Sequence, residues 1–235
     1  TLGGWCLKAG GRSIDPQFLR QRRAGELLGF LLISPGRRLP IDQIIDSFWP
    51  EKEFNAAQAL LHQATSTLRR TLEPDLPEKF PSRYLRVDDG SIALALPPDS
   101  QVDYETFMSH IRCADWDAAL ACCPGEFLPE YRYADWAEAH RRWLAQEYQR
   151  ALLAKARVWL SEKQFLPTLD ACRKLLAAEP WQEQAVLLGM QACLGLGDTA
   201  GALRLYLTLE KTLQTDLGVE PQPELQTLYR SLLKR

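Results

Sequence analysis

Lys163-Gln164-Phe165 and Gly197-Asp198-Thr199 stand 34 residues apart, each where one amphipathic helix should end and the next begin. In that register Leu169 matches Leu203, Ala171 matches Leu205 and Leu175 matches Leu209. A helix–turn–helix unit of this period marks a tetratricopeptide-like stack, in which neighbouring units bury their apolar faces on one another and leave a concave surface for partners. The consensus is degenerate, because large residues stand where small ones are expected and the second repeat is longer before its proline. An ordinary helical bundle with an accidental repeat is the alternative.

Outward from that repeat the signals stay helical. Asp135 is placed as the N-cap of a long helix over 136–160, with Trp136, Trp143, Tyr148, Leu152, Ala156 and Trp159 along its length. Helices are predicted over 166–178, stopping before Pro180, over 182–196, with Gly195 and Gly197 as exits, and over 199–217, where Gly218 suits a left-handed cap. Pro223 opens a last helix over 224–233, at a position where the missing N–H costs nothing. A short helix over 117–122 is expected to stop at Pro124-Gly125. The three tryptophans fall at helical spacing and read as core.

The first hundred residues carry a different pattern. Trp5, Leu7 and Ile14 flank Ala9-Gly10-Gly11, a hairpin signal. A helix over 18–33 puts Leu19, Ala24, Leu27, Leu28 and Leu31 on one side and stops at Ser34-Pro35-Gly36. Helices follow over 41–48, ended by Trp49-Pro50, and over 55–72, striped by Leu61, Ala64, Leu68 and Leu72. Tyr84 to Leu94 reads strand, tight turn, strand, because Asp89-Gly90 favours a two-residue hairpin. Strands, three helices and a terminal hairpin are the order of a winged helix.

Bulk properties narrow the function class. Hydrophobic residues make up 46% and charged residues 25% of the 235, the balance of a folded globular chain. The longest apolar run, Leu27 to Ile33, is interrupted by Gly29 and is far below the roughly 18 residues that span a bilayer. Thr1 rather than Met is expected of a processed or partial chain, and no basic-then-apolar leader follows it. Six cysteines without CxxC spacing, mostly inside helical patterns (Cys172, Cys193), fit reduced, buried thiols in a cytoplasm. A formal charge of −2 gives no global argument for nucleic acid. His110, Cys113, Cys122 and Cys123 match no zinc spacing and are expected to be helix thiols and a lone imidazole. With three scattered histidines and no GxSxG, HExxH or phosphate loop, no enzyme, metal or cofactor is expected.

Particular wording points to a family. Ala202 to Tyr206, then Leu217-Gly218-Val219-Glu220-Pro221, Pro223-Glu224-Leu225, and Leu228-Tyr229 with Leu232-Leu233 resemble the end of the bacterial transcriptional activator domain. Gly125 to Pro129 followed by Trp136-Ala137-Glu138 is similar to that family's entry segment. In the first half, Leu27-Leu28, Pro35-Gly36-Arg37, Ile41 to Ile45, Phe48-Trp49-Pro50 and Leu68-Arg69-Arg70-Thr71-Leu72 resemble an OmpR-type winged helix, and Val102 to Phe107 resembles the link between the two. The resemblance covers nearly the whole chain. It implies a winged helix (α+β) over residues 1–102 followed by an all-α tetratricopeptide-like domain over 103–235, as in the antibiotic-regulator class of activators.

In such a motif the second helix lies in the major groove and presents polar side chains to base edges. The predicted outward set on 55–72 is Gln58, His62, Gln63, Ser66, Arg69 and Arg70. Glutamine can pair with adenine, and arginine with guanine or phosphate. Arg83 and Arg86 would open the wing, and Arg37 and Arg38 would clamp the backbone before the second helix. Two departures oppose this. Ser66 and Thr67 stand where family recognition helices carry a basic group, and Asp88-Asp89 gives the wing an acidic tip. Residues 1–108 hold 13 Lys/Arg against 14 Asp/Glu, so binding would have to rest on local neutralisation. The expected partners are double-stranded DNA, RNA polymerase, a second copy of the chain and further domains of a longer parent. The competing reading is an interaction module of a larger signalling regulator, with little DNA binding of its own.

Overall fold

The structure, a computed structural model, describes every residue except Glu78, Lys79, Asp89, Pro124 and Arg235. The Asp89 half of the predicted wing turn and the Pro124 helix stop therefore lie outside the described residues. The chain forms two compact units: residues 1–108 with 122–145, and residues 109–121 with 146–235.

The first unit opens with β1 (Leu7–Ala9) and β2 (Arg12–Ile14), an antiparallel hairpin. Its loop is Gly10-Gly11, at φ +57° and +77°, the left-handed pair that a type I′ turn needs. Asp15 accepts the Gln17 N–H and caps α1 (Pro16–Arg20), which is followed by α2 (Ala24–Ile33). The single helix expected over 18–33 is thus broken. Arg22 and Arg23 take left-handed φ of 49° and 59°, and Arg23 lies over the Phe48 and Trp49 rings, 5.5 and 5.6 Å from their centroids. That cation–π contact rewards the break. Apolar spacing could not reveal it, because the break falls on polar surface residues.

Next come β3 (Arg38–Pro40), α3 (Ile41–Phe48), α4 (Phe54–Leu72), β4 (Leu85–Asp88) and β5 (Ser91–Leu94). The last three strands form an antiparallel sheet in the order β3-β5-β4, with Arg38 opposite Ala93 and Asp88 opposite Ser91. α3 buries Ile44, Ile45 and Phe48, and α4 buries Ala57, Leu61, Ala64, Leu68 and Leu72. This is a helix-turn-helix followed by a β-hairpin wing.

The same unit takes in the segment around Phe127 to Trp136. Gly29 on α2 has no room for a side chain: a Cβ there would lie 2.8 Å from both Leu128 and Trp136. Trp136 stacks on Phe30 (5.3 Å, 29°) and its indole N–H donates to Glu26 at 3.3 Å. Phe127 is 2% exposed and pairs with Leu2 in an isolated antiparallel bridge.

The second unit is helical. It draws on α6 (Trp116–Cys122, all but its last residue), α8 (Phe165–Ala178), α9 (Glu183–Gly195), α10 (Thr199–Asp216) and α11 (Pro223–Leu233), while α5 (Asp103–Arg112) and α7 (Asp135–Ser161) contribute residues to both units. The segment from Val102 to Phe107, which reads as a link, lies largely within the helix Asp103–Arg112, and this helix buries Tyr104 and Phe107. The repeat register holds, since α8 and α10 begin at equivalent residues, Phe165 and Thr199. Asp198 caps α10 by accepting the Gly201 N–H at 2.7 Å. Gly218 takes φ +67° beyond α10, as a left-handed cap requires. Two apolar clusters form, one around Leu152, Ala156, Ala171, Leu175 and Leu188, the other around Val186, Met190, Tyr206, Leu209 and Leu225. Tyr229 on α11 stacks on Tyr206 at 4.1 Å and 7°.

Two expectations need correction. Trp143 is 37% exposed rather than core, and Cys113 is exposed. Cys172 and Cys193 are buried as expected, and burial pushes the Cys172 thiol up to about 12. Gly195 supplies a test of the helical packing, because a Cβ there would sit 2.3 Å from the Phe165 ring. Gly195→Ala is expected to destabilise the chain by about 1–3 kcal/mol through overpacking, despite alanine's better helix propensity. Denaturant unfolding followed by circular dichroism checks this, and a stabilised variant would contradict the contact.

Candidate nucleic-acid interface

The residues that could meet DNA are arranged by α4. Its buried stripe fixes the opposite face through the turn of about 100° per residue. On that opposite face Gln58, His62, Gln63 and Arg70 are exposed and Ser66 is half-buried. Arg69 sits on the flank, half-buried, and its guanidinium donates to the Pro77 carbonyl at 3.3 Å. Asn55, Ala56 and Ala59, which are not among the predicted outward residues, are exposed and belong to the same stretch of helix. The signal was present: Asn55 and Ala59 continue the spacing of His62, Ser66 and Arg70 backwards by single turns. Small alanines at the centre of such a face permit close backbone approach to a groove.

The wing and the start of α3 carry the remaining cations. Arg83 and Arg86 are exposed, and the Arg83 backbone N–H donates to the Glu73 carboxylate at 3.1 Å, tying the entry of the wing to the end of α4. Arg38 pairs with Asp88 at 2.8 Å across the sheet. Arg37 is held differently. Its Nη2 donates to both oxygens of Glu105 at 2.7 and 2.9 Å, and the Tyr104 hydroxyl donates to Leu32 O at 2.9 Å beside it. Burial, then the Glu105 carboxylate, pushes the Tyr104 phenol well above its ordinary value. Arg37 therefore fixes α5 to the start of β3. Asp42 and Asp46 on α3, with Glu51 and Glu53 in the turn before α4, are carboxylates of the same unit, Asp42, Asp46, Glu51 and Glu53 all being exposed.

The same unit holds a strongly perturbed histidine. His140 lies among Tyr104 (4.9 Å), Phe127 (4.8 Å) and Trp143 (5.1 Å), and its Nε2 is buried without a partner. Burial lowers its pKa from 6.5 to about 4. The unfolded chain takes up this proton first as pH falls, so the neutral imidazole contributes stability that is full above pH 6.5 and lost on the way to pH 4. The loss is expected to be about 2 kcal/mol once solvent screening is allowed for. Unfolding free energies measured across that window should fall more steeply for the natural chain than for His140→Phe, and parallel curves would refute the assignment.

Among the described residues no cluster of three or more His, Cys, Asp or Glu is placed to hold a metal ion, and no helix is long and apolar enough to cross a membrane. A helix-turn-helix with a β-hairpin wing, carried in one chain with stacked helical hairpins, defines the class: a winged-helix protein with a tetratricopeptide-like domain. Comparison with known proteins gives the family. The sequence model of the bacterial transcriptional activator domain matches residues 103–233, and the chain belongs to that family.

The chain is 30% identical over 236 residues to the regulatory protein AfsR of Streptomyces griseus, covering 91% of this chain and 22% of that protein. It is 25% identical over 243 residues to the transcriptional regulatory protein MoaR1 of Mycobacterium tuberculosis, covering 89% and 71%. A solved structure of Mycobacterium tuberculosis EmbR in complex with a low-affinity phosphopeptide shares the fold, with a TM-score of 0.80 at 22% identity over 99% of this chain and 64% of that one. The chain thus spans 22% of the AfsR proteins it matches.

Proposed function

We propose that the chain is the DNA-reading and partner-binding part of a cytoplasmic transcription activator, without enzymatic activity of its own. The observation that carries this reading is the exposed face of α4. It is polar or small along its whole length, from Asn55 through His62, Gln63 and Ser66 to Arg70, and it follows a helix-turn-helix and precedes a wing. Gln58, His62, Gln63 and Ser66 would meet base edges, and Arg69, Arg70, Arg83 and Arg86 would meet phosphates. Arg38 would join them, while Arg37 would act by holding the frame. The division of labour would follow the expected boundary, with residues 1–102 reading DNA and residues 103–235 serving a second copy, RNA polymerase or other domains of a longer parent.

The exposed carboxylates Asp42, Asp46, Glu51 and Glu53 favour the second reading, an interaction module with weak DNA contact. A mobility-shift series on short random-sequence duplex DNA separates the two. Binding whose log K falls steeply with log salt supports the first reading. Absence of binding at the lowest salt overturns it in favour of the second.

A further inference from the structure

Arg38 and Asp88 lie on the two outer strands of the three-stranded sheet, with β5 between them. The Arg38 guanidinium spans that central strand. Nη1 donates to the Ser91 hydroxyl at 3.0 Å and Nη2 donates to Asp88 Oδ2 at 2.8 Å. Both side chains are open to solvent, at 53% and 55% of their area. Arg37 offers the contrast: its side chain is only 32% exposed, its Nε is buried, and two carboxylate contacts anchor it. One arginine is built into the frame, and the other is held by an exposed ion pair and one hydroxyl contact.

A carboxylate and a phosphate present the same kind of acceptor to a guanidinium fork, and a phosphate in duplex DNA brings the added gain of counterion release. We propose that Asp88 is an internal competitor for the phosphate that Arg38 would take, so that DNA must displace it to complete the contact at the wing. This rests on reading α4 and the wing as the DNA interface. Asp88 then lowers affinity without blocking binding. It is an affinity-setting residue that never touches the nucleic acid, and Arg38 is silent in the free protein.

The test uses the whole chain, a fluorescent random-sequence duplex and a salt series, with folding of each variant checked by circular dichroism. Asp88→Ala is expected to tighten binding roughly fivefold at low salt and to steepen the slope of log K against log salt by about one. Arg38→Ala combined with Asp88→Ala should cancel both changes. If Asp88→Ala leaves affinity and slope unaltered, or if its gain persists without Arg38, the proposal is overturned and Asp88 acts only as general repulsion or not at all. If neither the natural chain nor Asp88→Ala binds at the lowest salt, the DNA-interface reading fails first and takes this inference with it. Should Asp88→Ala fold poorly, Asp88→Ser provides the same loss of charge with a smaller loss of polarity at the strand.

Discussion

Replacing Phe127 with alanine is expected to lower the stability of the unit that contains the winged helix by about 3–5 kcal/mol, although Phe127 lies well beyond the wing in sequence. The ring is 2% exposed and packs edge-on against Tyr104 and His140, at 6.0 and 4.8 Å between centroids. Truncation would leave a cavity whose walls are held by other contacts. Tyr104 is bonded to the end of α2 through Leu32 O, and α7 is fixed by Trp136 on Phe30. Little collapse is available to fill the space, which places the cost at the upper part of the range for aromatic truncations. Denaturant unfolding of the whole chain measures it. A loss below about 1 kcal/mol would mean that the segment only rests on the winged helix.

Charge reversal at Arg70 should have the largest effect on DNA. The residue stands in the outward line of α4 with Asn55, Ala59 and Ser66, so on the proposed reading a glutamate there would remove one phosphate contact and set a carboxylate against the backbone of the duplex. The expected result is a loss of roughly fiftyfold in affinity near physiological salt, with the slope of log K against log salt reduced by about one to two. Arg230→Glu on α11 makes the same change of charge on the other unit and should alter binding little. Equal losses in the two variants would point to net charge rather than a reading helix.

Much of this architecture was legible in the sequence, for reasons that can be stated. Helices with one buried stripe announce themselves by spacing: Leu61, Ala64, Leu68 and Leu72 gave α4, and the matched turns at Lys163 and Gly197 gave α8 and α10 almost to the residue. Gly10-Gly11 and Gly218 were legible because only particular residues tolerate the left-handed conformations found there. The break at Arg22 and Arg23 was not, since its cause is a pair of aromatic rings supplied by α3 and the residue after it. α5 was missed because Tyr104 and Phe107 are its two buried anchors, too few to fix a period. The candidate interface was half legible. Helical geometry selected the exposed residues of α4, but no local pattern could show that Arg37 is committed to Glu105 or that Arg38 is shared with Asp88, because both pairs join residues more than 40 positions apart.

The close fit at Gly29 also constrains how such a chain can be cut or recombined. Leu128 and Trp136 enter the groove over α2 at a distance that only glycine allows, so the winged helix is completed by residues that come after α6 in the chain. A gene fragment ending at the wing would expose that groove and the apolar residues beneath it. The winged-helix unit, proposed above to read DNA, is therefore not a contiguous cassette. In recombination, natural or engineered, it would travel intact only when the first half of α7 travels with it.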